Sequence, residues 1–134
     1  MRYPIPLAAL ALVGLASTGH AQALPQLTND TTWDGRPLSA WISDLSAPAP
    51  YTRHKAAYAI SSLGPSAAVA VPALIEALKD PSPPVRYAVA YALKEIGPSA
   101  AAAVPALTEV LDDINDDVAF MARKALASIE GKHS

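Results

Sequence analysis

The sequence repeats itself at an offset of 33 residues, and this period constrains the possible folds more than any other feature. Residues 64–67 (Gly-Pro-Ser-Ala) recur as residues 97–100, and residues 71–74 (Val-Pro-Ala-Leu) recur as residues 104–107. A weaker copy precedes them. A fixed period of about 20 to 50 residues is typical of stacked supersecondary units, so we expect three units. They span residues 37–65, 66–98 and 99–131.

Each unit is expected to form two helices. Leu74 and Leu78 are four residues apart, and the apolar residues over 85–96 follow the three-and-four spacing of one buried helical face. A helical hairpin of this length cannot bury its apolar face alone, so neighbouring units must stack. The sequence therefore predicts an all-α fold, an α-solenoid of about three stacked helical hairpins. A linker over residues 24–36 precedes it and a tail over residues 132–134 follows.

Residues at the predicted helix ends support these boundaries. Ser82 is suited to cap the second helix of its unit, and Asn115 or Asp116 takes that role in the third unit. Gly64 and Gly97 follow second helices, where a residue in the left-handed conformation is favoured. A proline near the start of the first helix in units two and three predicts either a kinked helix or a separate short turn before it.

The first 23 residues have the organisation of a secretory signal peptide. Arg2 precedes an apolar run over residues 7–16, and the small residues Ala21 and Ala23 offer two cleavage points. The run is shorter than the roughly 20 residues that a membrane-spanning helix needs, which favours cleavage over a permanent anchor. We therefore expect residues 1–23 to be removed from an exported protein, periplasmic or secreted, with no stable membrane insertion afterwards.

Composition excludes several classes of function. The chain has no cysteine, so disulfides, thiolate zinc sites and cysteine nucleophiles are ruled out. The formal net charge of -2 and the lack of a basic run argue against nucleic-acid binding. Aromatic residues make up only 6% of the chain while 51% of it is hydrophobic. The core must therefore be built largely from small side chains.

The sequence contains no recognisable catalytic or metal-binding motif. After signal cleavage only His54 and His133 remain, which leaves no histidine triad for a metal. No nucleophile elbow or glycine-rich phosphate loop occurs. A cluster of four aspartates lacks the alternating pattern and the glycine of a calcium loop, and acidic residues near a helix start are favoured by the helix dipole. These aspartates are Asp112, Asp113, Asp116 and Asp117. We expect no enzyme, no cofactor and no metal site.

The second and third units resemble HEAT-type repeats, in the short form that also occurs in phycobilin lyases. The resemblance rests on residues 71–81, 85–86 and 96–98 with their equivalents one repeat later, and it extends through all three units. It implies paired helices stacked into a right-handed superhelix, with the second helices on the concave face of a binding scaffold. With the compact signal peptide, it also implies a bacterial source. Two departures stand out, since Thr52 replaces the valine in the first unit and Ala119 replaces the arginine in the third.

Tyr87 and Tyr91 are one turn apart on the outward side of a predicted second helix, where the HEAT pattern usually has charged residues. The equivalent positions one repeat earlier and later extend this pair across three adjacent helices. The six predicted partner-binding residues are His54, Tyr58, Tyr87, Tyr91, Phe120 and Lys124. Exposed aromatic residues gathered in this way indicate an interface. Alternatively, the rings lie flat over small residues and supply packing that an alanine-rich core lacks. These small residues are Ala56, Ala90 and Ala122.

Arg53 and Arg86 occupy equivalent positions in the first and second units. They either reach a ligand or bind carboxylates and carbonyls of neighbouring turns. Asp80 and Asp113 are suitable partners, so structural pairing is the favoured interpretation.

The sequence thus predicts a non-catalytic scaffold that binds a protein or peptide on the concave face formed by its second helices. One alternative is a structural or assembly module that stacks end to end with itself or with a larger repeat protein. Another is a lyase-type enzyme-accessory module. Lyase activity itself is not implied, because no catalytic position in this chain can be matched to it.

Overall fold

The computed structural model describes residues 31–132. The predicted signal peptide, most of the predicted linker and His133 lie outside the described residues. Within them the chain forms three helical hairpins, which confirms the predicted all-α solenoid. The helices are α1 (Leu38–Asp44), α2 (Pro50–Leu63), α3 (Val71–Ala77), α4 (Pro83–Ile96), α5 (Val104–Val110) and α6 (Asp116–Ile129).

A 3-10 segment precedes the first helix in each of the last two hairpins. These segments are Gly64–Ala70 before α3 and Gly97–Ala103 before α5. The prolines of α3 and α5 then lie in the first turn of each helix, where a missing N–H breaks no intrahelical hydrogen bond. Of the two structures that these prolines allowed, the separate turn is therefore the one that forms.

The three second helices form one layer, in which α4 packs between α2 and α6. Their inward side chains belong to a single core, whose largest fully buried members include Ile60, Leu93 and Leu107. Many of the remaining core positions are alanines with no exposed surface, such as Ala57 and Ala90. Small side chains allow the helices to approach closely, and this close packing holds the outward side chains of neighbouring helices side by side.

A short β-hairpin closes the N-terminal end of the stack, within the segment that we expected to be a linker. Its strands are β1 (Thr32–Trp33) and β2 (Arg36–Pro37). Asp34 and Gly35 both have positive φ, which fits the two-residue turn of a tight hairpin. Trp33 packs edge to face on the buried Trp41 at a centroid distance of 5.6 Å, and Trp41 Nε1 donates to the Trp33 carbonyl at 3.1 Å.

The helix caps differ from the sequence prediction at one position. Asn115 caps α6, because its Oδ1 accepts from the N–H groups of Asp117 and Val118 at 3.0 and 3.1 Å. Ser82 precedes α4, but its side chain makes no capping bond, so that prediction was wrong. Pro84 removes one of the two N–H groups that a cap side chain binds. The Ser82 N–H instead donates to Asp80 Oδ1 at 2.9 Å.

Gly64 and Gly97 end α2 and α4 with positive φ, as expected, but not with the left-handed helical conformation. Their φ values are 57° and 75°, while their ψ values are -140° and -144°. This combination is open essentially to glycine alone. The two glycines therefore turn the chain sharply from each second helix into the following 3-10 segment.

Among the described residues, one helical stretch, Pro50–Ala77, is long and apolar enough to cross a membrane by length and composition. The core helices of soluble proteins pass the same test. Here the stretch is interrupted at Gly64, which separates α2 from the 3-10 segment and α3. It therefore provides only weak support for a membrane span.

Candidate functional site

The six predicted partner-binding residues lie on α2, α4 and α6, and we call their surface the aromatic face. The 33-residue offset aligns His54, Tyr87 and Phe120 in one row and the other three residues in a second row. These other residues are Tyr58, Tyr91 and Lys124. Because α4 lies between α2 and α6, each row crosses three neighbouring helices.

The aromatic residues of this face differ in exposure. Tyr58 is 54% exposed, Phe120 is 49% exposed and Tyr87 is 38% exposed. Tyr91 is half-buried and packs against the core, so the packing interpretation describes this ring better than it describes the other three. His54 is also half-buried, and Lys124 is exposed.

The half-buried Tyr91 ring is held from two sides. It stacks on Tyr58 with a centroid distance of 6.4 Å and an interplanar angle of 13°. Lys94 Nζ lies 5.1 Å from the Tyr91 ring centroid and binds Glu95 Oε2 at 2.7 Å. The hydrogen bond to Glu95 raises the pKa of Lys94, so its ammonium stays charged beside the ring. These contacts order the two tyrosines before any ligand arrives.

Two adjoining clefts open along the aromatic face. The larger encloses about 500 Å³ and the smaller about 260 Å³, and both are bordered by His54 and Tyr87. The larger cleft is lined by His54, Pro83, Pro84, Tyr87, Asn115, Asp117 and Phe120. The smaller cleft is lined by His54, Tyr58, Tyr87, Ala88 and Tyr91. Five of the six predicted residues thus line a continuous groove, and Lys124 lies beside it with its Nζ 5.6 Å from the Phe120 ring centroid.

The sequence analysis missed the residues that line the larger cleft at the helix starts. Pro84 and Asp117 stand one repeat apart, and each precedes a predicted binding residue by three positions. This spacing places them on the same helical face as Tyr87 and Phe120, so it was a usable signal. Tyr51, one repeat earlier in the same row, is strongly exposed but lines neither cleft.

Arg53 and Arg86 join successive hairpins through paired hydrogen bonds to aspartate. Arg53 Nε and Nη2 lie 2.6 and 3.1 Å from the carboxylate oxygens of Asp80. Arg86 Nε and Nη2 lie 2.8 and 2.9 Å from those of Asp113. The remaining Nη1 of each arginine donates to backbone carbonyls. With their donors occupied and neither side chain lining a cleft, both arginines support structural pairing rather than a ligand site.

These pairs shift the ionisation of both aspartates in the same direction. The hydrogen bond from Arg86 holds the pKa of Asp113 below its usual value, against the opposing effect of burial. Burial raises the pKa of Asp80, but the hydrogen bonds from Arg53 and from the Ser82 N–H outweigh it and leave that pKa lowered as well. Both carboxylates are therefore ionised in the folded protein at neutral pH.

The described residues show no arrangement that would hold a metal ion. Within residues 31–132, no three histidine, cysteine, aspartate or glutamate side chains are grouped closely enough for a metal site. One member of the aspartate cluster, Asp113, is already bound to Arg86. The chemistry that the groove offers is therefore stacking, hydrogen bonding and one carboxylate, that of Asp117.

Comparison with protein families gives one match, to HEAT repeats, over residues 38–127. The matched segment covers well over half of the chain, and it contains all six residues of the aromatic face. A search of curated proteins gives no match.

Proposed function

The chain belongs to the HEAT repeat family, and on that premise we propose that it is an exported, non-catalytic scaffold that binds a protein or peptide on its aromatic face. HEAT repeats generally mediate protein–protein interactions as scaffolds, without catalysis of their own. The family thus accounts for the kind of function. The aromatic face is the surface that we assign to it.

One observation carries this assignment, namely the continuous groove between exposed aromatic rings. Tyr58, Tyr87 and Phe120 are each at least 38% exposed although they are large and apolar. Clusters of exposed aromatic residues mark interaction sites on protein surfaces, and aromatic residues dominate the binding energy of interfaces. The stacked Tyr58 and Tyr91 rings are already ordered, which lowers the entropy cost of binding.

The test is in-cell crosslinking of the full chain followed by mass spectrometry. We expect the combined variant Tyr58→Ser, Tyr87→Ser and Phe120→Ser to fold normally and to lose one specific crosslinked partner. Tyr91 is left unchanged because it also packs against the core.

The matched control removes exposed apolar residues elsewhere. Val69 and Ile114 are 71% and 93% exposed, and neither lines a cleft. The variant Val69→Ser with Ile114→Ser should keep all partners. If the aromatic variant melts at the wild-type temperature and keeps the same partners as the control, the proposed binding face is wrong.

Export is the second part of the proposal, and the signal-peptide pattern of residues 1–23 supports it. Mass spectrometry of the protein from cell fractions tests it directly. We expect a mature chain that starts at Gln22 or Leu24, in the periplasm or the medium. A chain that keeps Met1 and stays in the cytoplasm would contradict export.

A further inference from the structure

The larger cleft combines aromatic rings with a single acidic group. Tyr87 and Phe120 supply the rings, and Asp117 supplies the only carboxylate among the described side chains that line either cleft. Within residues 31–132 this carboxylate has no ion-pair partner. No lysine or arginine of the described chain lines the cleft. The cleft therefore presents negative charge between ring surfaces, with no cation of its own to neutralise it.

The remaining walls favour a long side chain with a charged end. Pro83 and Pro84 form an apolar wall at the start of α4, and they carry no N–H groups that would compete for an acceptor. A volume of about 500 Å³ falls within the range of about 300 to 1,000 Å³ that is typical of ligand clefts. An apolar stem can lie along the prolines while its charged end reaches Asp117.

We propose that the larger cleft recognises an arginine side chain of the partner, with its guanidinium against Tyr87 and Phe120 and Asp117 as its counterion. A guanidinium is planar, stacks on aromatic rings and binds carboxylates through two parallel hydrogen bonds, whereas an ammonium does neither as well. This inference rests on the proposed function, because it names the chemistry by which the aromatic face selects its protein or peptide.

The surrounding charges restrict the partner further. Arg123 and Lys124 lie 5.9 and 5.6 Å from the Phe120 ring centroid, and neither lines the cleft. They would repel a second positive charge next to the bound arginine. We therefore expect a partner segment with one isolated arginine rather than a polybasic segment. An acidic residue at the same place is disfavoured by Asp117.

The experiment is an NMR titration of the 15N-labelled full chain with three short peptides. The probes are acetyl-Gly-Arg-Gly-amide, the same peptide with citrulline in place of arginine, and the same peptide with glutamate. Citrulline has nearly the shape of arginine without its charge. We expect the arginine peptide to shift the amide signals of Tyr87 and of residues 115–120. We also expect it to bind at least about threefold more tightly than the citrulline peptide, as an exposed ion pair allows.

The variant Asp117→Asn should bring the arginine and citrulline peptides to equal affinity. Asp116→Asn is the matched control, because Asp116 is the neighbouring exposed acid and lines neither cleft. It should keep the preference for arginine. Circular dichroism establishes that both variants are folded.

Equal binding of the arginine and citrulline peptides to the unmodified chain would overturn the inference, as would shifts confined to another surface. A preference that survives Asp117→Asn would also overturn it. If the aromatic variant loses its crosslinked partner while the peptides bind equally, the inference fails and the proposed function stands. If that variant keeps its partner, the proposed function fails whatever the peptides show.

Discussion

At the scale of the residue, the side chains of α4 divide sharply between packing and surface. Leu93 is fully buried, while Tyr87, on the same helix, is more than one-third exposed. Both are large and largely apolar, so hydrophobicity does not separate them. Their positions on the helix do, because Leu93 faces the core shared with α2 and α6 and Tyr87 faces the groove.

We therefore expect very different stability changes when these two side chains are truncated. Leu93→Ala removes buried contacts and leaves a cavity, so it should lower the free energy of unfolding by about 2 to 5 kcal/mol. Tyr87→Ser should lower it by about 0.5 kcal/mol, as for other exposed positions. Urea unfolding followed by circular dichroism measures both. A Tyr87→Ser loss as large as that of Leu93→Ala would show that the ring is a packing residue.

The Arg86–Asp113 pair makes stability depend on pH in the acid range. The pKa of Asp113 is lower in the folded chain than in the unfolded chain, so the folded state binds fewer protons and this contribution grows with pH. It is fully present above the unfolded value near about 3.9 and is lost as the pH falls through the folded pKa.

Asp113→Asn should cost about 1 to 3 kcal/mol at pH 7, because it leaves the charged donors of Arg86 without their ionic partner. It should also weaken the acid dependence, leaving the part contributed by Asp80. Asp112→Asn is the control, since Asp112 is exposed and has no ion-pair partner in residues 31–132. Urea unfolding between pH 3 and pH 7 tests this. An unchanged acid slope in Asp113→Asn would contradict the assigned cause.

At the scale of the element, the second helices begin in two different ways. Helix α6 begins with a side-chain cap from Asn115 and acidic residues in its first turn, which favour the positive end of the helix dipole. Helix α4 begins with two prolines after Ser82 and without a side-chain cap. In both units the carboxylate before the helix accepts from the N–H of the N-cap residue, from Ser82 and from Asn115 respectively.

Removing the two cap side chains should therefore have unequal effects. Asn115→Ala eliminates two hydrogen bonds to free N–H groups and should cost about 1 kcal/mol. Ser82→Ala eliminates none of this kind and serves as its control, with a cost of a few tenths of a kcal/mol at most. Thermal unfolding of the two variants provides the comparison. Equal losses would mean that the Ser82 hydroxyl caps α4 in solution.

At the scale of the whole molecule, the ends of the stack differ from its interior. Ala57 and Ala90 are fully buried where neighbouring second helices pack, but the equivalent residue on α6 is the exposed Arg123. Arg86 binds the next hairpin, whereas its equivalent on α6 is Ala119. Packing another hairpin of this kind against α6 would bury a guanidinium, which is costly. These residues disfavour end-to-end stacking, the alternative function that the sequence left open.

We accordingly expect the full chain to sediment as a monomer at all accessible concentrations. Sedimentation-velocity runs over a wide concentration range measure this. A sedimentation coefficient that rises with concentration in the unmodified chain, but not in the variant Val69→Ser with Ile114→Ser, would support self-assembly through exposed apolar residues. It would contradict the reading of α6 as a terminal surface.

The sequence by itself determined the architecture, because a 33-residue period with helical apolar spacing has only one economical solution, a stack that shares its core. It also indicated which residues share a face, since that follows from helical geometry alone. It did not determine that Tyr91 is half-buried while Tyr87 borders both clefts, that Ser82 leaves α4 uncapped, or that β1 and β2 cover the N-terminal end. Those outcomes depend on the lateral spacing of neighbouring helices and on competing hydrogen-bond partners brought together by folding. The groove itself is of this kind, because its walls come from three helices that are distant in the chain and adjacent only in the tertiary structure.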